Sequence, residues 1–128
     1  MSFKDTGIIA FEAGADLEAA RRVTINVSGL AVYAGATDPG LGVTKYAAKS
    51  GESVAVVLWN KPGTFEVEVD EAVTLNADLV AAANGKCTSL PAPAGTYVVI
   101  GKALSTASAD GDIIEAVSIN TGASKSVV

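Results

Sequence analysis

Polar and apolar positions alternate with a period of two in "RVTINV" (22–27) and again in "TFEVEV" (64–69). Val23, Ile25 and Val27 fall on one face of the first run, with Thr24 and Asn26 on the other. In the second, Phe65, Val67 and Val69 oppose Glu66 and Glu68. Period two predicts strands with one buried and one wet face. "SVAVVLW" (53–59) and "YVVIGKAL" (97–104) are apolar on both faces and predict central strands. Four further runs rich in β-formers lie at 30–34, 42–47, 78–83 and 112–119. Between them stand turn signals: "SG", "DPG", "NKPG", "NG", "PAPAG" and "DG". Asn-Gly and Asp-Gly tolerate positive φ and favour tight hairpins, and Pro-Gly suits type II turns. Short strands at regular spacing predict an all-β fold, a small barrel or sandwich. One segment reads differently. "ADLEAARR" (15–22) offers Asp16 as an N-cap followed by strong helix formers, so a short helical turn is an option there.

The pattern also repeats. "KSGESVAVVLW" (49–59) returns as "ADGDIIEAVSI" (109–119). "ADL" stands at 15–17 and 77–79, Gly42 opens one strand and Gly101 another, and Gly51-Glu52 is echoed by Gly111-Asp112. The offsets are 62, 59 and 60. Three markers in one order predict two halves of similar design. Each half offers a sheet with one apolar face that it cannot bury alone, so the halves should close on one another. The domain plan is an N-terminal arm over 1–14, a β domain over 15–120 and a flexible tail over 121–128.

Composition narrows the function. Apolar residues make up 49 % of the chain but aromatics only 5 %, so the core is built from small and branched side chains. No apolar run reaches the 18 or so residues of a membrane helix, and the N-terminus lacks the pattern of a signal peptide. Fourteen acids against nine bases leave a net charge of −5. Arg21-Arg22 is the one tight basic pair, which argues against binding nucleic acid or a membrane surface. A single Cys precludes an internal disulfide and suits synthesis in a reducing cytoplasm.

The chain contains no His. That removes Ser-His-Asp and Cys-His catalysis and His-based metal sites. Cys87 has only Lys86 nearby as an activating base, so a packed structural thiol is the better reading. "GLGVTK" (40–45) lacks the third glycine of a dinucleotide loop. Glu66, Glu68, Asp70 and Glu71 are the one carboxylate group that an acid–base enzyme would use, and they read more simply as a solvated face. "DGD" (110–112) reads as a turn and not as part of a calcium loop. No catalytic residue, metal ligand or cofactor is expected.

Two features remain for recognition. The N-terminal stretch concentrates large apolar side chains, Phe3, Ile8, Ile9 and Phe11, in a chain otherwise sparing with them. It reads equally as a docking arm or as the first strand of the domain. Trp59 and Phe65 flank "NKPG" and read as packing residues, within the core or between subunits.

These residues taken together resemble the bacteriophage head decoration, or capsid cement, proteins. "FEAGADLEAARRVTI", "YAGATDPGLGVTKYAAKSGESVAVVLWNKPGTFEVEV" and "IGKALSTASADGDIIEAVSI" carry the resemblance, in the family's usual order, from about Phe11 to Ile119. It implies a non-catalytic virion protein made in the bacterial host cytoplasm and assembled, as a homotrimer, on the outer surface of the capsid. There it clamps neighbouring major capsid subunits, with the stretch before Glu12 contacting the shell. The alternative is a different phage β-domain binding module, fibre-associated or carbohydrate-binding. The scarcity of aromatics speaks against a sugar-binding face.

Overall fold

A computed structural model describes residues 7–91 and 93–128. Its described residues hold eleven strands and no α-helix. Strands β1 (Ile8–Ala13), β2 (Arg22–Ile25), β3 (Leu30–Tyr33), β4 (Gly42–Thr44) and β5 (Ser53–Leu58) close into a barrel in the order β1-β3-β2-β4-β5. Strands β6 (Phe65–Glu68), β7 (Asp78–Ala81), β8 (Cys87–Ser89), β9 (Gly95–Ala103) and β10 (Ile113–Ser118) form a second sheet in the order β6-β10-β9-β7-β8, and β11 (Ser124–Val127) pairs with β9. Every one of the eight β-forming runs is a strand.

The second sheet repeats much of the barrel's pairing plan. In the barrel, β1 runs parallel to β3 with Ala13 opposite Ala31. In the second sheet, a single parallel bridge joins Val69 to Cys87, which take the places of Ala13 and Ala31. Leu17 bridges Ala48, and Val73 bridges Ala107. Ala20 at φ 62 donates its N–H to Thr44 O, and Asn76 at φ 66 donates to Ala103 O. The Gly51 and Gly111 turns sit at φ 87 and 94, where glycine is favoured. Each turn is closed by the acid that follows it. Glu52 accepts the Lys49 N–H, and Asp112 accepts the N–H groups of Ser108 and Ala109. Gly42 and Gly101 meet the neighbouring strand closely: a Cβ on either would lie 1.9 Å from Val57 O or 2.0 Å from Val117 O.

The "ADL" echo is the exception. At 15–17 it lies before β2, with Leu17 bridged to Ala48, whereas at 77–79 it runs into β7. The structural counterpart of Leu17 is Val73, and not Leu79 as the repeated letters suggest. Three other expectations also give way. The 15–22 segment is not helical: Leu17 exchanges backbone bonds with Ala48 (2.7 and 2.9 Å), and Asp16 accepts the Ser50 N–H instead of capping a helix. Long-range pairing outweighs local propensity here. Of the 1–14 arm, Ile8–Ala13 is a barrel strand, paired with β5 from Ile8↔Val57 to Glu12↔Ser53. Most of the 121–128 tail is β11, in register with β9 from Ser124↔Val98 to Val127↔Gly95.

Two apolar clusters fill the halves. The first centres on Leu17, Val23, Val54 and Val56, with Phe11 against it. The second centres on Val67, Leu79, Ile100 and Ile114, and also takes in Val43, Val57 and Trp59 from the barrel. The outer wall of the barrel is thus part of the second core, and the halves pack as one body.

Candidate binding surface

The seam between the halves begins with Arg22. As the first residue of β2 it shares the parity of Thr24 and Asn26, which alternation assigns to solvent. It is instead 0 % exposed. Its Nε donates to Lys86 O (3.0 Å) and Nη1 to Asp38 O (2.5 Å). Nη2 reaches Ala82 O (2.6 Å), Gly35 O (3.2 Å) and Ala34 O (3.4 Å). The carbonyls come from both halves, so one guanidinium ties the 34–38 loop to the 82–86 turn. Burial lowers its pKa, opposed by Cys87 and Asp38. Arginine stays charged under such a shift.

Beside it runs a chain of ion pairs. Glu68, expected on a solvated face, is 8 % exposed, because that face of β6 turns toward the barrel at this point. Its carboxylate holds Arg21 (3.0 Å) and Lys86 (3.1 Å). Glu18 extends the chain at one end (2.7 Å to Arg21) and Asp110 at the other (2.8 Å to Lys86). The Arg21 guanidinium also lies 5.1 Å from the Tyr33 ring centroid. Two backbone bonds cross the seam, Glu68 N–H to Ala20 O (2.7 Å) and Gly85 N–H to Ala34 O (2.9 Å). Charge inventory alone does not reveal this network, because its members are scattered from residue 18 to residue 110.

Farther along the seam the halves part into a groove of about 260 Å³, walled by Ile8, Val43 and Val57 on one side and Phe65, Glu66 and Ile113 on the other. Ile113 is 49 % exposed. The groove brings two of the sequence-derived site residues, Ile8 and Phe65, onto one surface. Trp59 stands behind it, edge-on to Phe65 with ring centroids 5.0 Å apart, its Nε1 donating to Gly40 O (2.9 Å). Such an aromatic pair contributes about 0.5–1.5 kcal/mol beyond its area burial. Trp59 and Phe65 therefore pack on each other within the chain. Ile9 is half-buried in β1, and Phe11 lies against the first core. Phe3 falls outside the described residues.

The other chemical candidates occupy structural posts. Cys87 is fully buried, and desolvation pushes its thiol up to about 12, although Arg22 pulls the other way. A thiol so placed is protonated at neutral pH and does not act as a nucleophile. Glu71 accepts the hydroxyls of Thr88 (2.7 Å) and Ser89 (2.9 Å). Asp70 and Glu66 are exposed. Among the described residues, no three His, Cys, Asp or Glu side chains gather to hold a metal ion. No helix among them is long and apolar enough to cross a membrane.

No protein-family model matches the chain, and no curated protein matches it. Among solved structures it is similar to the N base of the head fibre protein gp8.5 of bacteriophage phi29. The TM-score is 0.72 at 14 % identity, over 91 % of this chain and 96 % of that one. At that identity the likeness is one of fold.

Proposed function

We propose that this chain is a non-catalytic structural protein of a bacteriophage virion, carried on the outer surface of the head. The observation that carries the reading is the correspondence in fold with a head fibre base over nearly the full length of both chains. A chain without His, whose one thiol is buried and held protonated, adds support. In the finer form of the proposal, the protein is a homotrimer that clamps neighbouring major capsid subunits, and its action is surface burial alone. Ile8, Ile9 and Phe3 are the residues assigned to the shell contact, and Phe11 supports them from the barrel core. Burying each large apolar side chain contributes about 1.5–3 kcal/mol, and three copies in one assembly multiply modest contacts through effective concentration.

A second reading is favoured because that neighbour is the N base of a head fibre: a fibre-associated module, seated on the head as the base of a longer appendage. The two part experimentally. Purified protein is mixed with undecorated phage heads, sedimented, and the heads are then heated. A clamp co-sediments and raises the temperature at which heads release DNA. A fibre base co-sediments and leaves that temperature unchanged. A variant lacking residues 1–6 retains β1, and the proposal expects it to bind more weakly. If it binds equally well, the role given to Phe3 is wrong. If neither form binds any phage head, the virion reading fails.

A further inference from the structure

The groove between the halves contains an open strand edge. β6 pairs with β10 through Phe65↔Ala116 and Val67↔Ile114. Glu115 turns its carbonyl the other way, to the N–H of Leu104 (2.8 Å), so the facing pair Glu66↔Glu115 exchanges no backbone bonds. Backbone groups two residues apart on a strand point to the same side. Glu68 uses that side to reach Ala20 O, so Glu66 directs its N–H and C=O into the groove, where they meet no backbone partner among the described residues. The side chains there set the charge. Glu66 and Glu115 stand directly opposite each other, an arrangement that weakens a sheet unless a cation relieves it. Glu115 accepts the Thr64 hydroxyl, and neither carboxylate has an ion-pair partner among the described residues. Lys45 and Lys61 line the far wall of the groove and pair with neither carboxylate: Lys61 Nζ donates to Pro62 O (3.2 Å), and Lys45 Nζ lies 5.7 Å from the Tyr46 ring centroid.

We propose that this groove receives an extended, basic segment of a partner protein, which adds to the free edge of β6. Its Arg or Lys side chains meet the Glu66–Glu115 pair on the sheet face that also carries Ile113, and its apolar side chains turn to the other side, toward Ile8 on the barrel wall. Extended segments bind sheet edges in this way, with backbone bonds giving affinity and side-chain pockets giving selectivity. A second copy of the β6 edge is a poor occupant, because it would set Glu66 against its own counterpart. The inference concerns the groove and holds whether or not the partner belongs to a capsid.

The test uses the full chain and a capped heptapeptide alternating Arg and Val, followed by amide NMR, with an alternating Glu and Val peptide as control. The Arg peptide is expected to saturate, to shift the amides of Thr64, Glu66 and Ile113, and to bind at least about tenfold more tightly than the Glu peptide. Glu66→Gln with Glu115→Gln should remove about that factor while the rest of the amide spectrum stays in place. No saturable binding, equal binding of the two peptides, shifts mapping to another surface, or undiminished binding by the double variant overturns the proposal. Broadening that grows with protein concentration in the absence of peptide, confined to β6 and β10, would assign the edge to a second copy and overturn it as well.

Discussion

The two halves share a hydrogen-bond plan and differ in what they place at equivalent points. The sharpest contrast lies between the first residue of β2 and the first residue of β7. In the barrel this residue is Arg22, buried and bound to five carbonyls. In the second sheet it is Asp78, partly exposed and paired with Lys102 (2.8 Å) and Lys125 (3.1 Å). The charges are also unevenly shared. Residues 7–61 carry five acids and five bases, whereas residues 62–128 carry eight acids and three bases and so account for the whole net charge of −5. The repeated scaffold is set by turns and strand pairing, which use backbone and small residues. The side chains left over are free to diverge, one half providing the staple that joins the pair and the other an acidic face.

Breaking the staple should have the largest effect. Arg22→Met leaves buried carbonyls of both halves without donors and is expected to cost about 3–5 kcal/mol in urea unfolding, or to prevent folding. Arg22→Lys should not restore stability, because an ammonium cannot serve carbonyls spread around a planar fork. A loss below about 1 kcal/mol in Arg22→Met would contradict the role given to the guanidinium. The next largest effect tests whether the halves are equivalent. Gly42→Ala and Gly101→Ala place a Cβ against Val57 O and Val117 O at nearly the same short distance, so both should destabilise by about 1–3 kcal/mol or more. Thermal melts that move for one and not the other would break the equivalence.

Cys87 gives a smaller effect, since its counterpart in the barrel is Ala31, equally buried. Cys87→Ala removes one atom from the core and should cost about 1 kcal/mol. A thiol with its pKa near 12 should resist a thiol reagent at pH 8 in the native protein and react promptly in urea. Fast native labelling would show the second sheet opening near β8. Asp78→Asn should change least, below about 1 kcal/mol, because the ion pairs it removes are about a third exposed. Hydrogen bonds from Lys102 and Lys125 hold the Asp78 carboxyl below the usual carboxylate range. A depressed folded pKa contributes stability above the unfolded value, near 3.9, and loses it as the pH falls through the folded value. Wild type and Asp78→Asn should therefore differ at neutral pH and converge in acid.

Local grammar was legible in the chain alone. Alternation and β-branched runs marked eight strands, and the Gly-acid pairs at 51–52 and 111–112 marked the repeat, because turn geometry and period-two burial act within a few residues. Limits on chemistry were legible too, since a chain without His has few catalytic options. Whatever depended on which surfaces meet was settled only by the packing of the two halves. The "ADL" echo misled because the same letters recur at positions that are not equivalent: Leu17 precedes β2 and bridges Ala48, its counterpart is Val73, and Leu79 lies inside β7. Asp16 and its neighbours form helix readily in isolation, yet pairing with Ala48 and Ser50 holds them extended. Arg22 and Glu68 follow a solvent-facing period and are buried all the same, because the face that alternation leaves outside one half is covered by the other. A strand's own pattern records which side faces its own core, and it carries no record of what later packs against the opposite side.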